Sequence, residues 1–212
     1  MVALTTLREV NSFKDWTPCL ALTLAPLKIA FFNQSVTGMR TRLATYGDIP
    51  QVVQIASKVV PLMQAEGNFQ WDVSYPCYEH FRADVLEGQL WVAVDDLDKI
   101  IGFAALTTSQ PPEYADSGCD ISLPAVVPHR LAVDPAFRRC GAAQLFFTRC
   151  EQLALEKGFS YVRVDTNTAN IPMQQAILKA GYELKGEISL AVKAGSLRFV
   201  CFEKAVHASV SS

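Results

Sequence analysis

The alternation of strand and helix patterns after residue 126 most constrains the fold of this chain. Val126–Val133 is an apolar strand pattern, and a helical pattern follows over residues 141–157. A second strand pattern at Tyr161–Asp165 is followed by a short helix pattern over residues 170–180. Parallel strands need a crossover connection, and such crossovers are right-handed. The order therefore predicts parallel strands joined through helices.

The segment before residue 126 adds antiparallel structure. Leu90–Val94 and Ile100–Leu106 are apolar runs joined by a charged turn, which indicates a hairpin. A helix is predicted after Asp48, with its end marked by Pro61 and Gly67. The other predicted elements are a strand at 41–44, a helix at 75–87, and strands near 182–190 and 197–204. The fold class is therefore α/β, a mixed twisted sheet of about seven strands with helices on both faces.

Half of the 212 residues are apolar, which suffices for one well-buried domain at residues 39–212. Residues 1–38 are predicted to be an N-terminal extension of uncertain structure. Its apolar run, Leu20–Phe32, is interrupted by Pro26 and Lys28 and is too short to span a bilayer. We therefore expect no membrane attachment, and a transit peptide remains the alternative interpretation of the extension.

Charge and cysteine usage narrow the class of protein. The 19 basic and 21 acidic residues give a net charge of −2, whereas nucleic-acid binding needs clustered basic residues. We therefore expect no nucleic-acid partner. The six cysteines form no CxxC pair, so we expect reduced thiols, no metal site and a cytoplasmic location.

The residues most informative about chemistry begin the helix after Val133. Gly141, Ala142 and Ala143 leave the first N–H groups of that helix open to a ligand, and Arg138 and Arg139 add positive charge. This arrangement predicts a cradle for a pyrophosphate. The alternative is that the small residues only allow tight helix packing and that the arginines are solvated. Neither a Walker loop nor a dinucleotide fingerprint is present.

Arg138-x-x-Gly141-x-Ala143 resembles the Q/R-x-x-G-x-G/A motif of the GNAT N-acetyltransferase family. Asn170 and the helix that runs to Gly181-Tyr182 resemble a second family motif, and the resemblance covers about residues 40–204. It implies a GNAT fold with splayed central parallel strands and acetyl-CoA as co-substrate. It also implies direct attack on the thioester by a primary amine of a small molecule or peptide. The implied acetyl-CoA contacts are Leu131, Ala132, Val133, Arg138, Arg139, Cys140, Gly141, Ala142, Ala143 and Asn170.

A proton acceptor is needed because an alkyl ammonium is mostly protonated at neutral pH. His129 is the first candidate, since its position is similar to that of a strand histidine of arylalkylamine acetyltransferases. It could instead be a hydrogen-bonded histidine of the sheet. Glu113, Asp116 and Asp120, on the long loop 108–124, are the alternative candidates, unless that loop is simply solvated.

The usual general acid of the family, a tyrosine on the second-motif helix, is replaced by Ile177. Protonation of the leaving thiolate must then come from water, from Tyr114 or Tyr182, or from no group at all. The alternative function is therefore a non-catalytic module that binds acyl-CoA.

The acceptor amine is predicted to enter between the first two helices. Trp71, Asp72, Tyr75 and Tyr78 combine aromatic rings with a carboxylate, which suits a cationic amine, and Tyr114 is a further candidate contact. Core packing at a helix junction is the alternative. The sequence does not determine the oligomeric state, and a homodimer is one possibility.

Overall fold

A computed structural model of the chain describes residues 38–190 and 197–207. Residues 1–37, which are all of the predicted extension but its last residue, lie outside this range, as do residues 191–196 and 208–212. One sheet has the strand order β1-β2-β3-β4-β5-β7-β6. The strands are β1 Arg40–Leu43, β2 Leu90–Val94, β3 Ile100–Thr107, β4 Ala125–Val133, β5 Tyr161–Asn167, β6 Glu183–Leu190 and β7 Leu197–Ala205. In the described part of the chain, none of the helices has the length and apolar character needed to cross a bilayer.

Helices cover both faces of this sheet, as predicted. The helices are α1 Ile49–Ala65, α2 Tyr78–Leu86, α3 Ala142–Glu156 and α4 Ile171–Lys179. Val52 and Ile55 of α1 pack with Phe81 of α2 in one buried cluster. Phe146 and Phe147 of α3 share another cluster with Ile177 of α4. The mixed seven-stranded sheet and its two helical layers thus confirm the predicted fold.

Two helix boundaries differ from the prediction. Helix α1 continues through Pro61, because Val59 and Val60 bury the apolar side of the helix while Pro61 itself stays exposed. Helix α2 begins at Tyr78 rather than Tyr75, because Pro76 disfavours helical geometry at the residue before it.

Strands β4 and β5 separate soon after they begin. They pair in parallel only at Ala125 with Tyr161 and at Val126 with Val162. Beyond this point β4 remains paired with β3, and β5 is paired along its length with β7. A gap therefore opens between the two central strands toward their carboxyl ends, which confirms the predicted splay.

A bulge interrupts β4 beside this gap. The partner of Phe103 is Ala132 whereas the partner of Ala105 is His129, so β4 carries one extra residue. Arg130 lies in the bulge with φ 52°, a left-handed conformation that is costly for a residue with a side chain. The bulge changes the direction of the side chains that follow His129.

Candidate active site

A cleft of about 1360 Å³ follows the gap between β4 and β5 and reaches the first turns of α3 and α4. Its other wall comes from the end of α1 and the connection to α2. The residues from the predicted set that line it are Trp71, Tyr75, Glu113, His129, Leu131, Ala132, Val133, Arg138, Arg139, Gly141, Ala142, Ala143 and Asn170. The structure thus brings together most of the predicted coenzyme and acceptor residues in one space.

One end of the cleft is formed by the chain entering α3. Arg139 and Gly141 both have positive φ angles, 64° and 94°, immediately before the helix begins at Ala142. Backbone N–H groups in such a turn converge to form a concave anion site, and the helix dipole adds partial positive charge. Among the described residues, only Met39 Cε approaches the space that a Cβ on Gly141 would fill, at 4.0 Å. This end of the cleft therefore suits a phosphate group.

Asn170 lies where the cleft meets α4, and it is the N-cap of this helix. Its side-chain oxygen accepts a hydrogen bond from the Met173 N–H, and its Nδ2 donates to Thr166 Oγ1 at 3.0 Å. Asn170 therefore caps α4, and the same residue also faces the cleft.

His129 and Asp165 lie on either side of the gap between the strands. Each is four residues beyond the paired residues Ala125 and Tyr161, so their side chains are on the same face of the sheet. Burial lowers the pKa of His129 from its ordinary value of 6.5, while the charge of Asp165 opposes this shift. Burial raises the pKa of Asp165, and the hydroxyl of Tyr114, 2.5 Å from Oδ1, opposes that shift.

The hydrogen bond of His129 defines its tautomer. Nε2 is 3.3 Å from the carbonyl oxygen of Ser109, which can only accept, so Nε2 donates. The neutral ring then has its lone pair on Nδ1. Because its pKa is lowered, His129 is largely neutral at pH 7 and can accept a proton.

Several predicted residues lie outside the cleft lining. The Tyr114 ring is fully buried, and the thiol of Cys140 donates to Met39 Sδ. The carboxylate of Asp120 instead accepts hydrogen bonds from Ser122, and that of Asp72 accepts from Ser74 and Tyr75. Asp116 and Tyr78 are exposed on the surface. These side chains therefore do not line the cleft with the other predicted contacts.

The two tyrosines considered as general acids are poorly placed for that role. Tyr182 packs against Phe147 in the core, and burial raises its pKa far above its ordinary value. Burial and the neighbouring Asp165 carboxylate likewise raise the pKa of Tyr114. Ile177 is itself fully buried against α3. The cleft-facing side chains of α4 are those of Pro172, Met173, Gln175, Ala176 and Lys179.

Sequence reasoning missed Asp165 and Arg130. Asp165 was hidden because it ends a strand pattern that also contains Arg163, and its partners Tyr114 and His129 are distant in sequence. Arg130 reaches the cleft because of the bulge, which the apolar pattern of β4 does not reveal. A charged residue on a predicted central strand was the available signal for both.

A metal centre receives no support from the described residues, 38–190 and 197–207. Within them, His, Cys, Asp and Glu do not form any group of three or more that could hold an ion.

The sequence model of the acetyltransferase (GNAT) family matches residues 60–182, more than half of the chain, and the protein belongs to this family. No curated protein matches the sequence significantly.

Solved structures agree with the fold. A GNAT-family acetyltransferase from Streptococcus agalactiae superposes with a TM-score of 0.66 at 23% identity, covering 82% of this chain and 98% of that one. One from Listeria monocytogenes gives 0.61 at 17% identity, covering 79% and 95%. The acetyltransferase yncA from Salmonella typhimurium, solved with its cofactor acetyl-CoA, gives 0.57 at 16% identity, covering 82% and 98%. At these identities the likeness concerns the fold alone.

Proposed function

We propose that the protein is an N-acetyltransferase, in which a primary amine attacks the thioester of acetyl-CoA directly. The observation that carries this proposal is the continuous cleft from the α3 anion site to the gap beside His129. The cleft offers an anion site, then a narrow gap, then His129. This order matches the diphosphate, the pantetheine arm and the thioester of acetyl-CoA. Membership of an acetyltransferase family supports the same assignment.

The backbone at both ends of the cleft would bind acetyl-CoA. The N–H groups of residues 139–143, with the guanidinium groups of Arg138 and Arg139, suit the diphosphate. The backbone of Leu131, Ala132 and Val133 follows the bulge and lines the gap, where it can pair with the amide groups of the pantetheine arm. Main-chain N–H groups there would stabilise the oxyanion that forms during attack.

His129 is the group proposed to take the proton of the attacking amine. Its Nε2 is held by the Ser109 carbonyl, so Nδ1 is the free basic atom. Asp165 is close enough to favour the imidazolium that forms. Glu113, at the edge of the cleft, is available to pass the proton on to solvent.

The leaving group needs less assistance than the amine. An unperturbed thiol has a pKa of about 8.5, so a thiolate can depart near neutral pH and take its proton from water. This chemistry is consistent with Ile177 in the place of a tyrosine.

The test measures release of CoA by chromatography, and the acetylated product by mass spectrometry, with purified protein and a panel of primary amines. His129→Gln is expected to lower kcat/KM by about 100-fold or more at pH 8, because general-base catalysis is lost. The ratio of wild-type to variant kcat/KM should shrink below pH 6.5, where His129 becomes protonated. Taking the ratio removes the titration of the amine itself.

His207→Gln is the matched control, because His207 is an exposed histidine at the end of β7. Its kcat/KM should stay within twofold of wild type at every pH. A ratio for His129→Gln that is near one, or that does not change with pH, would contradict the proposed role of His129.

A module that binds acyl-CoA without turnover is the second candidate. Buried Ile177 favours it, since α4 then presents no tyrosine hydroxyl to the cleft. Tight binding of acetyl-CoA by calorimetry, with no CoA released in the presence of any amine, would decide for this candidate.

A further inference from the structure

The cleft contains a charged side chain that the acetyl-transfer chemistry does not use. Arg130 lines the cleft, yet only 17% of its side chain is exposed. Its backbone is in the left-handed region, with φ 52°, a strained conformation for a residue other than glycine. A strained residue with a buried charge at a cleft points to a binding role rather than to packing.

The guanidinium of Arg130 is held in place by hydrogen bonds to Asp84 and Tyr75. Its Nε and Nη2 donate to both oxygens of Asp84, at 2.9 and 2.5 Å, and Nη1 donates to the Tyr75 hydroxyl at 3.2 Å. Asp84 is only 5% exposed and does not line the cleft. Within residues 38–190 and 197–207, these contacts engage three of the five N–H groups of the guanidinium, which leaves two for a ligand.

The bulge places Arg130 beside His129 on the same face of the sheet. In a regular strand these neighbours would point to opposite faces. Here Arg130 reaches Asp84 and Tyr75 on the side of α1 and α2, and His129 reaches Ser109 on the loop that covers the same face. A group bound by Arg130 and an amine beside His129 would therefore lie on the same face of the sheet, next to neighbouring residues of β4.

We propose that the acceptor is an amino acid whose free carboxylate pairs with Arg130 while its amine faces His129. This inference rests on the proposed N-acetyltransferase function. A planar guanidinium fixed by a bidentate partner is well suited to a carboxylate. Trp71, Met63 and Tyr75 also line the cleft, and the Tyr75 hydroxyl contacts Arg130, so an apolar side chain on the amino acid fits best.

The test compares amino acids with amines that lack only the carboxylate. The pairs are phenylalanine with phenethylamine, leucine with 3-methylbutylamine, and methionine with 3-methylthiopropylamine. At equal concentrations of neutral amine, kcat/KM should be at least tenfold higher for the amino acid in a pair. In Arg130→Met this ratio should fall at least tenfold.

Two further variants keep the result interpretable. Arg130→Met leaves Asp84 buried without its partner, so the double variant Arg130→Met/Asp84→Leu removes the pair together. The same loss of preference is expected in it. Arg82→Met removes one positive charge from the exposed side of α2, and its ratio should equal that of wild type.

Binding provides a readout that does not depend on turnover. Calorimetry on the protein saturated with CoA should give at least tenfold tighter binding for the amino acid than for its paired amine. Equal binding, or no binding of either, would overturn the assignment of Arg130. Failure to bind acetyl-CoA, by contrast, would overturn the proposed function itself. Transfer to amines with no preference for a carboxylate would leave that function standing and remove only this inference.

Discussion

At the scale of single residues, two buried tyrosines differ in whether the hydroxyl group has a hydrogen-bond partner. The Tyr114 hydroxyl donates to Asp165 beside the gap between β4 and β5. The Tyr182 hydroxyl is buried without a hydrogen-bond partner among the described residues. The sequence suggested both tyrosines as proton donors to the leaving thiolate. It could not distinguish them, because the direction of a buried ring depends on long-range packing. Tyr114 therefore contacts a residue of the candidate site, whereas Tyr182 is part of the hydrophobic core.

Removing each hydroxyl should therefore have a different effect on stability. Tyr114→Phe leaves the Asp165 carboxylate without its donor and is expected to lower the free energy of unfolding by about 1–2 kcal/mol. Tyr182→Phe removes a hydroxyl that makes no compensating bond and should be neutral or slightly stabilising. Urea unfolding at pH 7 measures both values. Equal destabilisation by the two variants would contradict the contact with Asp165.

At the scale of secondary-structure elements, the spacing of the apolar residues predicted the strands and helices. The runs Leu90–Val94 and Ile100–Thr107 are strands, and the apolar face of α3 begins directly after Gly141. Local rules fail where two signals compete, as at Pro61, which sits inside α1 because neighbouring residues are buried. The bulge at Arg130 also escaped prediction, since a single extra residue leaves the apolar pattern of β4 intact.

The two glycines that flank α3 allow a matched test of the anion site. Gly141 and Gly158 have φ angles of 94° and 70°, so an alanine at either position should cost about 1–2 kcal/mol of stability. Only Gly141 lines the cleft. Gly141→Ala should weaken acetyl-CoA binding at least tenfold, and Gly158→Ala should leave it within twofold. Calorimetry with acetyl-CoA measures this difference, and equal affinities would argue against the anion site.

At the scale of the whole molecule, the loop before β4 is fixed by one buried arginine. Arg163 of β5 is fully buried, and it donates to Glu203 at 2.7 Å and to the carbonyl oxygens of Leu123 and Asp120 at 3.0 Å. The loop 108–124 is thereby held on the face of the sheet that carries His129. The sequence predicted this loop and the fold around it, but contacts between residues about 40 positions apart carry no local signal.

If the gap between β4 and β5 holds acetyl-CoA, as proposed, a crystal structure of the complex will show the coenzyme there. We expect the diphosphate within hydrogen-bond distance of the backbone N–H groups of residues 139–143. We expect the thioester between the two strands, beside His129. Coenzyme bound on another surface of the molecule, with the gap filled only by solvent, would contradict the account.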